Sequence, residues 1–159
     1  MANVQMKVSQ LVNKLIADEW IAEFTYDMQS KVCEGAGFDA VSKRLAEMSV
    51  DEKNHRDKLI TWMQSKSFPV LTNPLVMMRE CNPSGRFNDF QDPIDTLECV
   101  KRGIKAEINA KNCYLMYYKA VKDKFPDLAH EFMDIANEEN EHRVELTDLL
   151  HMIEHSEQK

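Results

Sequence analysis

The chain has 159 residues, 43% of them hydrophobic and 30% charged, so it is long enough to bury a core as a single domain over residues 1–159. Its net charge of −7 disfavours DNA as a partner, because binding to the phosphate backbone needs clustered Lys and Arg side chains. No apolar run approaches the roughly 20 residues that span a bilayer, and the N-terminal stretch lacks the apolar segment of a signal peptide, so we expect a cytoplasmic protein that binds no membrane.

Four segments repeat apolar residues at three- and four-residue steps, the pattern of helices with one buried face. The first covers about 4–34 and ends at the glycines of "EGAGF", and the second covers about 38–66. The third begins after Asp92-Pro93, a helix cap followed by proline at the first helical position, and continues to about 123. The fourth covers about 126–155. Short connections within each pair predict two antiparallel hairpins.

The connection between the second and third segments, residues 67–91, is much longer. It contains Pro69, Pro74 and Pro83 and shows no sustained period. A connection of this length can carry the chain along a whole bundle, so that the helices on either side of it run parallel. We therefore expect an all-α four-helix bundle with a long crossover, which has room for a short helix at about Leu75–Arg79.

Each apolar stripe is interrupted near its middle by a glutamate, and two stripes add a histidine three residues later. The interrupting residues are Glu19, Glu52, His55, Glu107, Glu139 and His142. Burying unpaired carboxylates costs several kcal/mol each, whereas two divalent cations would balance four of them. The Glu-x-x-His step puts both side chains on one helix face, within reach of one ion. This donor set is that of di-metal carboxylate bundles, and its oxygen-rich chemistry suits iron or manganese.

The spacing of these residues repeats between the two hairpins. The first glutamate precedes the Glu-x-x-His glutamate by 33 residues in one hairpin and by 32 in the other. Each first glutamate is followed seven residues later by a tyrosine, Tyr26 or Tyr114. A solvated charged face or a metal-free polar core would not require such a repeat, so we disfavour both of these interpretations.

With these residues the chain resembles the ferritin-like superfamily, most closely bacterioferritins and bacterioferritin-type Dps-like proteins. The similar stretches are "LVNKLIADEW", "MSVDEKNH", "IKAEINAKN" and "ANEENEH", and the resemblance covers about 4–155. It implies two iron ions per subunit, with manganese or zinc as other occupants. It implies Glu19 and Glu107 as terminal ligands and Glu52 and Glu139 as bridging ligands. The implied imidazole ligands are His55 and His142. Tyr26 would lie beside the metals and take part in the reaction.

Three departures from bacterioferritin modify these expectations. Lys53 occupies the position of the haem-ligating methionine, so haem is not expected. The chain ends with the fourth helix, so we expect no fifth helix of the kind that lines the channels of 24-subunit shells. The crossover is longer and carries Cys81, as in the Dps-like proteins, which favours a homo-oligomeric shell of 12 subunits over one of 24.

The four cysteines lack the Cys-x-x-Cys spacing of zinc ribbons and thioredoxin-type sites. Cys81 and Cys113 are either related, as a cysteine pair is in the Dps-like proteins, or two unrelated free thiols, the interpretation that we favour because Asn109 occupies the expected second position. Cys33 and Cys99 are expected to be buried apolar fillers.

Two further groups of residues are weaker metal candidates. Glu47 and Asp51 lie near the position of an inner-surface iron site in bacterioferritin, although Glu47 replaces a histidine there, and a third iron site stays open. His151 and His155 are expected to favour the negative end of their helix rather than to bind metal.

These expectations describe a ferroxidase that oxidises Fe(II) with O2 or H2O2 and mineralises Fe(III) inside a shell, in iron storage and protection from oxidative stress. One alternative is a rubrerythrin-like di-iron peroxidase without a storage role. It normally needs a rubredoxin-like electron donor, and the sequence has no Cys-x-x-Cys pair to form one. A second alternative, a DNA-protecting structural protein of the Dps type, is disfavoured by the negative charge and the lack of a basic tail.

Overall fold

The computed structural model describes residues 2–82 and 95–156, with side chains over 7–82 and 95–155. The described residues form five helices: α1 (Ala2–Val32), α2 (Phe38–Ser65), α3 (Pro74–Glu80), α4 (Thr96–Val121) and α5 (Pro126–Ser156). The all-α class is confirmed. None of these helices is both long enough and apolar enough to cross a bilayer.

The four long helices pair as two hairpins. α1 lies along α2, α4 lies along α5, and the hairpins meet mainly where α2 contacts α5. The described part of α4 begins at Thr96, where the side chain of Asp95 accepts a hydrogen bond of 3.0 Å from the Glu98 N–H. The predicted start at Asp92-Pro93 lies outside the described residues.

The prediction of four helices with no fifth is wrong for the described residues, because the crossover contains the short helix α3. The side chain of Asn73 accepts from the Leu75 N–H at 3.0 Å, and Pro74 occupies the first turn. Met77 buries its side chain in the apolar core and so attaches this helix to the bundle. The extra helix therefore lies in the crossover, where the sequence left room for one.

The preceding part of the crossover is held by one buried side chain of α1. The amide of Asn13 donates to the Pro69 carbonyl and accepts from the Leu71 N–H, both at 2.9 Å. These bonds satisfy backbone groups that a segment lying against the core would otherwise leave unpaired. The crossover is thus fixed along α1.

The core consists of two apolar clusters, one towards each end of the bundle. One cluster includes Leu15, Leu59 and Phe132, and the other includes Leu45 and Leu146. Each long helix contributes apolar residues to both clusters. The buried glutamate of that helix, with its histidine on α2 and α5, lies between these two apolar stretches. The fold thus places a polar layer between two apolar ones.

The turn between α1 and α2 depends on Gly37. This residue has φ 72°, and a Cβ atom on it would lie 2.8 Å from Cγ1 of Ile153. We expect Gly37→Ala to lower the free energy of unfolding by about 1–2 kcal/mol, through the left-handed backbone and the contact together. Urea unfolding measures the change, and Ala36→Ser at the exposed neighbouring position should stay within about 0.5 kcal/mol of wild type. Equal stability of Gly37→Ala and wild type would contradict this role.

Candidate metal centre

The six residues that interrupt the apolar stripes converge in the polar layer. Their exposed fractions are at most 3% and belong to Glu19, Glu52, His55, Glu107, Glu139 and His142. Each of the four long helices contributes one glutamate, and α2 and α5 each add a histidine three residues further on. Glutamates are almost never buried this completely without a partner, and buried polar groups in general need one.

The six side chains form two overlapping groups of possible metal ligands. Within each group, one oxygen or nitrogen atom from every residue lies within 4.8 Å of the others. The groups are Glu19, Glu52, His55 and Glu139, and Glu52, Glu107, Glu139 and His142. Glu52 and Glu139 belong to both groups, as two cations that share two carboxylates would require.

Each histidine turns its Nδ1 atom towards the shared carboxylates. Nδ1 of His55 lies 3.2 Å from Glu52 and 3.3 Å from Glu139, and Nδ1 of His142 lies 3.3 Å and 3.5 Å from the same residues. The two rings are 6.1 Å apart between centroids. The carboxylates of Glu52 and Glu139 thus lie close to Nδ1 of both rings.

Several ligand atoms in the centre have no hydrogen-bond partner among the described residues. They are one oxygen each of Glu52, Glu107 and Glu139, and Nδ1 of His142. An unsatisfied buried polar atom costs about 1–3 kcal/mol, and more if it is charged. All four atoms belong to the two groups just described, so the residues present fit a pair of metal ions.

Burial shifts the pKa values of the glutamates in the centre. It raises the pKa of Glu19 to about 8 and the pKa of Glu139 well above the usual range, where the neighbouring Glu52 and Glu107 carboxylates add to the effect. Burial also acts to raise the pKa of Glu52, but the neighbouring imidazoles of His142 and His55 outweigh it and hold that pKa below its usual range. The carboxyl groups of Glu19 and Glu139 therefore retain protons that bound metal ions would displace.

A carboxylate on the opposite hairpin holds the outer nitrogen of each histidine. Nε2 of His55 lies 2.7 Å from Glu138 on α5, and Nε2 of His142 lies 3.2 Å from Asp51 on α2. Burial acts to lower the pKa of His55, but hydrogen bonds to the surrounding carboxylates, Glu138 first, outweigh it and raise that pKa. Such outer partners fix the ring orientation of metal-binding histidines.

Sequence reasoning missed this role for both acids. It did not single out Glu138, and it considered Asp51 only for a third iron site. The available signal was positional, because each acid directly precedes a Glu-x-x-His glutamate: Asp51 comes before Glu52, and Glu138 comes before Glu139.

Two buried tyrosines connect the hairpins in the same reciprocal way. The Tyr26 hydroxyl on α1 donates to Glu107 on α4, and the Tyr114 hydroxyl on α4 donates to Glu19 on α1. Burial raises the pKa of both phenols well above the usual value, and each glutamate adds to the effect. Sequence reasoning assigned a role to Tyr26 alone, although Tyr114 has the same seven-residue spacing.

A cavity of about 50 Å³ reaches the centre between α1 and α4. Its lining includes Ala22, Ala106 and Ala110, whose small side chains leave the space open. Beside it, Asp18 accepts two hydrogen bonds from Asn82 at 2.8 and 2.6 Å, and the Tyr117 hydroxyl donates to the same asparagine at 2.7 Å. Asn82, which follows α3, thus ties the crossover to both helices that border the cavity.

The remaining candidates lie outside the centre. Glu47 is half exposed, and Arg44 lies 3.2 Å from it and 3.9 Å from Asp51, so a guanidinium group already sits between the two acids of the suggested third iron site. That site stays a prediction. Cys81 and Cys113 are buried free thiols. Nδ1 of His155 lies 2.7 Å from the His151 carbonyl within α5.

Comparison with known proteins gives a family and several similar folds. Residues 9–154 match the ferritin-like domain family. No curated protein matches the sequence. A solved structure of a bacterioferritin-related protein from Bacteroides fragilis, described as a dodecameric thioferritin, superposes with a TM-score of 0.87 at 19% identity and covers 96% of this chain and 89% of that one.

Two other solved structures are similar over most of their length. Antigen TpF1 from Treponema pallidum has a TM-score of 0.84 at 11% identity, with 94% of this chain and 95% of that one covered. A Dps protein from Bacillus brevis has a TM-score of 0.83 at 15% identity, with 93% and 97% covered. At these identities the likeness establishes a shared fold.

Proposed function

This chain belongs to the ferritin-like domain family, and from that premise we propose that it is an iron-storage and detoxification protein with ferroxidase activity. The observation that carries the proposal is the pair of buried ligand groups that share Glu52 and Glu139. Two Fe(II) ions are the substrate, each gives up one electron to become Fe(III), and O2 or H2O2 accepts the electrons. With H2O2, two Fe(II) ions and two protons yield two Fe(III) ions and two water molecules.

The residues of the centre have different roles in this reaction. The shared carboxylates hold both ions at a fixed separation, so that two electrons are available to one acceptor molecule. Four carboxylates favour the higher charge of Fe(III) over Fe(II) and so drive the oxidation. Glu138 and Asp51 hold the imidazoles in orientation, and Tyr26 and Tyr114 hold the two unshared glutamates. The cavity between α1 and α4 gives small reactants a route to the centre.

The storage part of the proposal requires a shell, and we favour twelve subunits. Support comes from the similar fold of the Bacteroides fragilis protein, which is described as dodecameric, and from the similar Dps folds. The Fe(III) product would accumulate as mineral inside that shell.

Iron loading tests storage and assembly together. Fe(II) is added in air to the purified protein at many equivalents per chain, and the mixture is separated by size-exclusion chromatography with iron analysis of each fraction. We expect iron to elute with a twelve-subunit assembly. Elution as a monomer or dimer that retains no mineral would contradict the storage function, and rapid iron oxidation in that case would favour the rubrerythrin-like alternative.

The contact between Glu138 and His55 predicts how a single substitution beside the centre changes metal affinity. We expect Glu138→Gln to weaken metal binding about 10- to 100-fold, because the amide accepts a weaker hydrogen bond from the imidazole and fixes it less well. Competition for Zn(II) with a coloured chelator measures the affinity. Glu131→Gln changes another partly exposed acid on α5 and should bind as wild type does. Equal affinity of Glu138→Gln and wild type would remove Glu138 from the centre.

A further inference from the structure

Two cysteines outside the metal centre lie unusually close together. The Cys33 thiol, just after α1, approaches Sγ of Cys99 in the first turn of α4 to 2.9 Å. Their exposed fractions are 2% and 0%, and they pack in the same apolar cluster. A disulfide bond is about 2 Å long, so the two sulfur atoms need move less than about 1 Å to form one. The sequence predicted both cysteines only as buried apolar fillers. Their burial agrees with that prediction, but the short distance between their sulfur atoms was not predicted.

The backbone on either side of this pair is already joined. The Thr96 N–H donates to the Glu34 carbonyl at 2.9 Å, and the Thr96 hydroxyl donates to the Ala36 carbonyl at 2.5 Å. Glu34 and Asp95 form an isolated β-bridge. These bonds hold the turn after α1 against the start of α4, so that bringing the sulfur atoms together needs little further loss of chain entropy.

Of the two cysteines, Cys33 lies nearer the surface of the molecule. Cys33 lines an open surface pocket together with Lys31, Gly35 and Phe38. Cys99 is completely buried and contacts Cys33 from the side of the apolar core. A small oxidant or reductant would therefore meet Cys33 first, and Cys99 is placed to react with Cys33 afterwards.

We propose that Cys33 and Cys99 are a peroxide-oxidisable dithiol whose disulfide links the α1–α2 turn covalently to the start of α4. Cys33 sulfur attacks one peroxide oxygen, the O–O bond breaks, and a sulfenic acid and one water molecule form. Cys99 sulfur then attacks the Cys33 sulfur and releases a second water molecule. Two thiols and one H2O2 thus give one disulfide and two water molecules, and both electrons come from sulfur.

The pair is separate from the proposed iron chemistry. Cys33 follows Tyr26 by seven residues and Cys99 precedes Glu107 by eight, which is about 10–12 Å along each helix. Burial raises the pKa of both thiols, so little thiolate is present at neutral pH and we expect the oxidation to need excess peroxide.

Peptide mapping of the whole protein tests the proposal. Reduced wild-type protein is treated with excess H2O2 in the presence of an iron chelator, so that iron consumes no peroxide, and is then alkylated and digested without reduction. We expect a Cys33–Cys99 linked peptide that is lighter by two hydrogen atoms, and a fall from four alkylatable cysteines per chain to two. The unfolding midpoint should rise by roughly 10 °C, because the link closes a loop across the two hairpins.

Matched variants assign the change to this pair. Cys33→Ser and Cys99→Ser should lose the linked peptide and the rise in midpoint, and Cys81→Ser and Cys113→Ser should keep both. Iron oxidation should be the same in Cys33→Ser as in wild type, so a failure of the ferroxidase proposal would not be confused with a failure of this one. Alkylation of both Cys33 and Cys99 after peroxide treatment of wild type would overturn the proposal, as would a Cys81–Cys113 link in place of theirs.

Discussion

Replacing Glu52 with alanine is expected to slow the rapid oxidation of Fe(II) by about 100-fold or more. Glu52 belongs to both candidate ligand groups, so in the proposed centre its loss would remove an oxygen donor from each ion and the carboxylate shared by the two ions. Loss of an outer partner alone costs metal sites about 10- to 100-fold, and a shared ligand should cost at least as much. Stopped-flow absorbance of Fe(III) after mixing with Fe(II) in air measures the rate.

Glu47→Ala is the matched control for this result. It removes the same type of side chain from the same helix, α2. Glu47, however, is half exposed and pairs with Arg44 instead of facing the centre. We expect its oxidation rate to equal that of wild type. A rapid phase in Glu52→Ala that is as large and as fast as in wild type would show that iron is oxidised elsewhere.

Zn(II), which is not oxidised or reduced, should raise the thermal unfolding midpoint of metal-free wild type by roughly 5–10 °C at 100 times its dissociation constant. The physical reason is that bound cations give partners to the buried atoms of Glu52, Glu107, Glu139 and His142 that otherwise have none. Thermal unfolding followed by circular dichroism, with and without Zn(II), measures the shift.

Two variants of α5 separate the centre from other acids in this experiment. Glu139→Ala should lose most of the Zn(II)-dependent rise, because Glu139 belongs to both ligand groups. Glu141→Ala changes an exposed residue two positions further along and should keep the whole rise. A wild-type midpoint that does not respond to Zn(II), or an equal rise in Glu139→Ala, would contradict a metal site at these residues.

The sequence predicted the parts of the structure that local periodicity determines. The apolar stripes located four long helices to within a few residues at the described ends, because each helix must bury one face. The same stripes brought the six candidate ligands together, since charged residues at core positions of four packed helices have to meet in the core. Helix α3 was harder to define, because seven residues form a helix only with a cap and a tertiary contact such as that of Met77.

Contacts between the hairpins could not be predicted in this way. The pairs His55–Glu138 and His142–Asp51 depend on how α2 and α5 are rotated and shifted against each other, and helical periodicity does not determine that. The approach of Cys33 to Cys99 likewise depends on where the α1–α2 turn meets the start of α4. In the first case the repeated acid before each ligand glutamate was a usable signal, whereas the cysteines gave none.

The number of ions in the centre is the most direct test of the account. Anaerobic titration of the metal-free protein with Fe(II), with free iron determined after ultrafiltration, measures tight binding before any oxidation or mineral growth. The two overlapping ligand groups predict saturation at two Fe(II) ions per chain, with tight binding lost in Glu52→Ala. Saturation at one ion per chain, or no tight binding at all, would contradict the two-ion centre.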